Sequence, residues 1–412
     1  VRKVLETFAT RILLIGIGFA TSVLVARILG PEGRGLFAVA GAIAAIAIQF
    51  GNLGLHSANT YSVARDRSLL PGLLANSLLV SFVLGGLVGL VTWGISRAWP
   101  SFAPVPETLL LIALASIPPS LAYMLAQNLL LGIQEVRAFN KIELAARVIT
   151  VGLITLVIVV GFVTPETVFL AGLAAGVINL AWVLWHLRPF IKGPLRPSWP
   201  LLKGNLAYGF RAYLNCLFAF LVIKLDLLMV GYLLGAEQAG YYSISVSMAD
   251  LVYLLPVVIG TILFPRLAAL DTFEEKWSLT NKTALVVASM MIGISTVSMV
   301  LAHPAVRLVF GAEYLPAVPA FLVLAGALVF LGVNTIYSNF LGSVGLPWFT
   351  VFLWAAVTAL NVALNLAAIP KYGIIGAAYA SLACYALALI VQYAYARHYA
   401  KTHGSTPKWG HA

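Results

Sequence analysis

Apolar runs separated by short breaks of Gly, Pro or charged residues fill the whole chain. They lie at about residues 10–29, 36–56, 72–95, 107–131, 143–163, 166–187, 209–234, 240–264, 282–302, 317–341, 348–369 and 373–396. Most are close to the roughly 20 residues an α-helix needs to cross a bilayer core. Only helices or closed barrels satisfy every backbone group in lipid, and these runs are too long for barrel strands. The pattern therefore predicts an all-α integral membrane protein with about 12 transmembrane helices. The run at 10–29 is read as a retained helix rather than a signal peptide, because another span follows it at once.

The runs also repeat. LVARILGPEGRGLFAV near the start and LVIKLDLLMVGYLLGAEQAG at 221–240 share a turn in which Gly30, Glu32 and Gly35 stand where Gly235, Glu237 and Gly240 stand later, a constant offset of 205 in a chain of 412. A weaker echo follows at Leu131-Gly132 and Leu341-Gly342. The chain reads as one unit written twice, with six helices per copy. An even number makes both copies enter the membrane from the same side, a parallel internal repeat. The expected division is an N-terminal lobe at 1–187, a Pro-rich basic linker at 188–208, a C-terminal lobe at 209–396 and a tail at 397–412. Gly85 with Gly89, and Gly172 with Gly176, are small-residue pairs suited to close helix approach. Pro118, Pro119 and Pro256 should bend or break their helices.

Composition agrees: 61% of residues are hydrophobic and 9% charged, too little polar surface for a water-facing protein. The net charge of +11 would suggest nucleic acid in a soluble chain. Here nineteen of the 25 Lys and Arg fall on the side of the N-terminus, five on the other, and Lys224 in mid-span. That is the signature of topology, with both termini cytoplasmic, and no nucleic-acid partner is expected. Cys216 and Cys384 lie in apolar runs and suggest neither a disulfide nor a metal site. No phosphate-binding loop, zinc motif or cofactor signature is present, so no cofactor and no metal are expected.

An ionisable group in mid-bilayer costs on the order of 3 kcal/mol, so it needs a partner, a wet cavity or a task. Lys224, Asp226 and Asp250 are the clear cases. Counted from the turn at 235–240, Lys224 and Asp250 lie at similar depth, nearly 20 Å in at about 1.5 Å per residue, on neighbouring antiparallel helices. They suit either a structural ion pair or a cavity that binds cargo or coupling ions. The first copy has Phe19, Thr21 and Ala45 at these places, so the deep charge is one-sided. Arg11, Arg27, Arg147 and Arg211 lie near helix ends, where they either snorkel to headgroups or line a basic vestibule suited to phosphate. Asn361 and Asn365 share a helix face and are read as interhelical hydrogen-bonding groups.

Several stretches in order along nearly the whole chain carry a resemblance: ARILGPEGRGLFAV, LLLGIQEVRAFN, KLDLLMVGYLLGAEQAGYYSIS, VRLVFGAEYLPAV and AAIPKYGIIGAAYASL. They resemble the polysaccharide-flippase (Wzx-type) family of the multidrug/oligosaccharidyl-lipid/polysaccharide (MOP) exporter superfamily. The resemblance implies two six-helix lobes in a MATE-like V shape. It also implies a flippase, not an enzyme, that moves polyprenyl-pyrophosphate-linked oligosaccharide across the inner membrane of a prokaryote by alternating access, with H+ or Na+ as possible coupling ions. Membrane lipids are its surroundings, and a monomer is expected. Related lipid-linked peptidoglycan-precursor flippases have about fourteen spans in the family pattern, two more than the runs here. Cation-coupled drug exporters of the superfamily are the main alternative. They often rely on an acid in the first helix, and no acid lies between Glu6 and Glu32. A membrane-embedded glycan polymerase or ligase is the remaining alternative, although the outward connections are short for catalytic loops.

Overall fold

The computed structural model describes residues 2–99 and 103–403, with side chains from Leu13 to Thr402. Among the described residues there is no strand, and the helices run in the order α1 (Arg2–Asn52), α2 (Leu55–Arg65), α3 (Leu70–Ala98), α4 (Glu107–Ala115), α5 (Ile117–Gly132), α6 (Val136–Val160), α7 (Pro165–Leu187), α8 (Trp199–Leu234), α9 (Ala236–Ala269), α10 (Phe273–Val309), α11 (Val318–Ser343) and α12 (Trp348–His403). Ten continuous stretches are long and apolar enough to cross a membrane, among the described residues. Two of these, Leu13–Asn52 and Trp348–Thr402, have 40 and 55 residues, two to nearly three times the roughly 20 needed. Each is broken at one glycine with positive φ: Gly30 (φ 65) in α1 and Gly373 (φ 61) in α12. Treating those breaks as turns yields twelve crossings, and the protein is a multi-pass membrane protein.

The chain divides into two compact units, residues 1–213 with 235–240, and residues 214–234 with 241–412. The segment expected as a linker, 188–208, contains a short helical turn at Arg188–Phe190 and the start of α8. It is fastened to the first unit. Asn76 Nδ2 donates to Ser198 O, and Ser198 N donates back to Asn76 Oδ1, both at 2.9 Å. Ser62 Oγ donates to Asn205 Oδ1 at 2.7 Å, and Asn205 Nδ2 to Asn59 Oδ1 at 2.8 Å. The expected tail is helical as far as His403, and the rest of it lies outside the described residues.

In the first unit the apolar faces of α2, α3, α5, α6 and α7 meet around Leu73, Leu129, Leu130, Ile142 and Val183. Gly85 and Gly89 of α3 face the break between α4 and α5; an added Cβ would lie 3.5 Å from Pro118 Cα and 3.6 Å from Leu114 O, respectively. That break sits at Ser116, just before Pro118 and Pro119, and Ser116 Oγ donates to Ala113 O at 2.6 Å. Pro256 behaves differently: α9 continues through it without a break. Its ring packs against Gly332 of α11, where an added Cβ would lie 3.3 Å from Pro256 Cγ. Neighbouring helices of this kind are what make proline tolerable inside a membrane helix.

At the second of the duplicated turns Gly235 also has positive φ (90). The two turns also touch. A Cβ on Gly35 would lie 1.7 Å from Ala236 O, and one on Gly240 would lie 1.9 Å from Pro31 O. Backbone meets backbone here, and only glycine permits it.

Candidate functional site

Asp226 is the most deeply buried acid of those expected from the sequence, only 2% exposed. It lies in the last third of α8, eight residues before its end, and neutral donors from two other helices surround it. Asn361 and Asn365 of α12 are one turn apart, so both amides lie over the same oxygen: their Nδ2 atoms donate to Asp226 Oδ1 at 2.9 and 2.6 Å. Tyr242 comes back across the α8–α9 hairpin and donates its hydroxyl to Asp226 Oδ2 at 3.2 Å. Ser381, beyond the Gly373 break, donates to the same oxygen. No ion pair within 4.0 Å reaches Asp226 among the described residues. Its charge is therefore met by dipoles alone, in a setting where an unmet carboxylate would be very costly.

The same residues offer oxygens as well as N–H groups. Asn365 Oδ1 is buried without a hydrogen-bond partner. Asn365 Nδ2 also reaches Asn361 Oδ1 at 3.1 Å. A carboxylate, two amide oxygens and two hydroxyls form an all-oxygen set, suited to a proton or a hard cation such as Na+ and unsuited to soft metals. Among the described residues no group of three His, Cys, Asp or Glu gathers in the manner of a transition-metal site. Beside the carboxylate is a cavity of about 40 Å³, lined by Asp226, Tyr242, Asp250, Tyr253, Ser381 and Tyr385. It has room for about one water molecule.

The structure thus brings two of the expected acids, Asp226 and Asp250, to one cavity. Asp250 is exposed, whereas Asp226 is buried. Lys224 is half-buried and acts on Asp250 electrostatically. The two form no ion pair within 4.0 Å among the described residues. Arg27 and Arg147 lie on exposed surface of the first unit, and Arg211 is half-buried there. Arg147 shares its surroundings with Tyr123 and Glu143. The side chain of Arg11 lies outside the described residues. Tyr242 and Ser381 were not marked by the sequence, and Asn361 and Asn365 were marked only as interhelical glue. The i, i+4 asparagine pair was the available signal for a polar partner on another helix.

Residues 24–319 match the family model described as polysaccharide biosynthesis protein. The probable low-salt glycan biosynthesis flippase Agl15 of Haloferax volcanii is 23% identical over 94% of this chain and 81% of its own length. Other curated relatives are matched over only 41% to 54% of their own length. Among solved structures, the inward-facing conformation of a multidrug resistance MATE family transporter of the MOP superfamily superposes with a TM-score of 0.75, at 18% identity and over 95% of each chain. The lipid II flippase MurJ in an inward closed conformation superposes with a TM-score of 0.74, at 16% identity, over 96% of this chain and 87% of that one. These likenesses establish the fold, and with the match across most of its length the chain belongs to the polysaccharide biosynthesis protein family, built on the fold of the MOP exporters.

Proposed function

We propose that this protein is a flippase, not an enzyme. Its cargo is an oligosaccharide repeat unit on polyprenyl pyrophosphate, moved across the cytoplasmic membrane by alternating access for cell-surface polysaccharide assembly. The observation that carries this reading is the near full-length alignment with a protein named as a glycan biosynthesis flippase. Such a task breaks no bond; it needs a polar route for the sugar and a switch between sides. In this reading both termini are cytoplasmic, as the distribution of Lys and Arg supports. Arg11, Arg27, Arg147, Arg211 and Lys224 receive the pyrophosphate, for which guanidinium and ammonium groups are suited. Asp226 and Asp250 take up H+ or Na+, and the oxygen set around Asp226 supports that role.

A second reading, a cation-coupled multidrug exporter, is favoured by the MATE likeness. Against it stands the absence of any acid between Glu6 and Glu32. Reconstitution with a fluorescent polyprenyl-pyrophosphate oligosaccharide decides between them. The flippase reading expects the labelled lipid to reach the opposite leaflet intact. Efflux of a cationic dye without lipid movement would instead establish the exporter.

A further inference from the structure

The second unit carries a large open groove far along its last helix, distinct from the Asp226 cavity. It measures about 770 Å³ and lies between α11 and the end of α12. One stripe of α12 lines it: Ile390, Tyr393, Ala394, Arg397, His398 and Lys401, spaced three and four residues apart as one face of a helix requires. Val333 and Tyr337 of α11 form the facing wall.

The chemistry of that stripe is graded. Ile390, at its apolar end, is 65% exposed. Tyr393 follows, its ring edge-on to Tyr337 at 5.3 Å, and Tyr337 is itself pinned by a hydrogen bond of 3.0 Å from its hydroxyl to Asn281 Oδ1. Beyond the tyrosines come Arg397, His398 and Lys401, all exposed. From Ile390 to Lys401 the rise is about 16 Å at 1.5 Å per residue. Among the described residues no acidic one lines the groove. Hydrocarbon, then aromatic ring, then basic group is the order met when passing from the acyl region of one leaflet through its interface to the headgroups.

We propose that this groove is a binding site for an anionic glycerophospholipid, with the phosphate held by Arg397 and Lys401 and an acyl chain laid along Ile390 and Val333. A water-soluble anion would leave the apolar floor exposed. A neutral lipid would leave the basic end unanswered. This assignment concerns the surrounding bilayer and stands apart from the identity of the cargo.

The test uses the full chain purified in neutral detergent, titrated with phosphatidylglycerol and with phosphatidylcholine of the same acyl chains, and read by native mass spectrometry. The expected result is a preference for phosphatidylglycerol on the order of tenfold, given two basic side chains near the headgroup. The Arg397→Gln/Lys401→Gln variant should lose that preference while the melting temperature of the lipid-free protein stays put. If that variant is unstable, Lys401→Gln alone, at the exposed helix end, should lose part of the preference. Ile390→Asp should weaken both lipids alike. A preference that survives in the basic-residue variants overturns the proposal. So does displacement of phosphatidylglycerol by a polyprenyl pyrophosphate at these residues, which would assign the groove to cargo instead.

Discussion

Thr21 and Asp226 stand at the same place in the two copies of the repeat, yet they have opposite surroundings. Thr21 Oγ1 donates to Ile17 O of its own helix at 2.7 Å. Around that part of α1, Val25, Ile154, Val168 and Ala171 form an apolar cluster, with Phe37 packed against it. At the offset of 205, Phe37 answers to Tyr242, which in the second unit donates to Asp226. One copy has used the site for packing and the other for a carboxylate held by three helices. Where the copies agree, at Gly30 with Gly235 and Gly35 with Gly240, the requirement is backbone geometry. Glycine geometry was kept in both halves, and the deeply buried carboxylate was confined to one.

The largest expected effect attacks what the copies share. Gly35→Ala or Gly240→Ala drives a methyl group into a backbone carbonyl, a clash of the class that costs above about 4 kcal/mol. Neither variant should give a monodisperse peak in size-exclusion chromatography. Gly30→Ala meets nothing within 4 Å and should cost less, about 1–3 kcal/mol, because φ 65 with ψ 179 is a region nearly restricted to glycine. If all three behave alike, the contact between the turns is not what demands glycine.

Asp226 comes next, because its removal strands four donors. Asp226→Ala should lower stability by about 1–3 kcal/mol for each buried donor left unsatisfied, seen as a fall in melting temperature in nanodiscs. Asp226→Asn, which preserves volume, should retain the fold and lose the response of transport to an imposed H+ or Na+ gradient. A gradient response kept by Asp226→Asn would move ion coupling away from this cluster. A milder change is Lys224→Ala, which should slow flipping by about tenfold, the worth of one charge contact, and leave the melting temperature unchanged. Full activity in a Lys224→Ala/Asp250→Ala variant would reduce these two residues to a structural role. The smallest effect belongs to the first copy: Thr21→Val should stay within about 0.5 kcal/mol by thermal melting and leave transport unaltered.

The helices and the duplication were legible because lipid imposes one period and one length on every span, and because glycine turns leave a residue-level mark. The doubled helices α1 and α12 were already divided in the sequence, between 29 and 36 and between 369 and 373, and Gly30 and Gly373 take positive φ at those places. The depth of Asp226 could be read by counting from a turn. Its partners could not: Asn361 and Ser381 lie 135 and 155 residues further along, and helix rotation decides which polar side chains meet. The expected pairing of Lys224 with Asp250 rested on equal depth alone. Depth without azimuth brings them near, short of an ion pair.

The docking of residues 235–240 with the first unit also bears on how the protein is made. Twenty-one residues of the second unit, 214–234, must leave the translation machinery before this last piece of the first unit appears. The first unit therefore cannot close during synthesis until the seventh span has been handed to the membrane. A ribosome-stalled chain ending at Tyr213 should be more open to protease near Gly35 than one ending well beyond Gly240, which makes the hairpin a checkpoint in assembly.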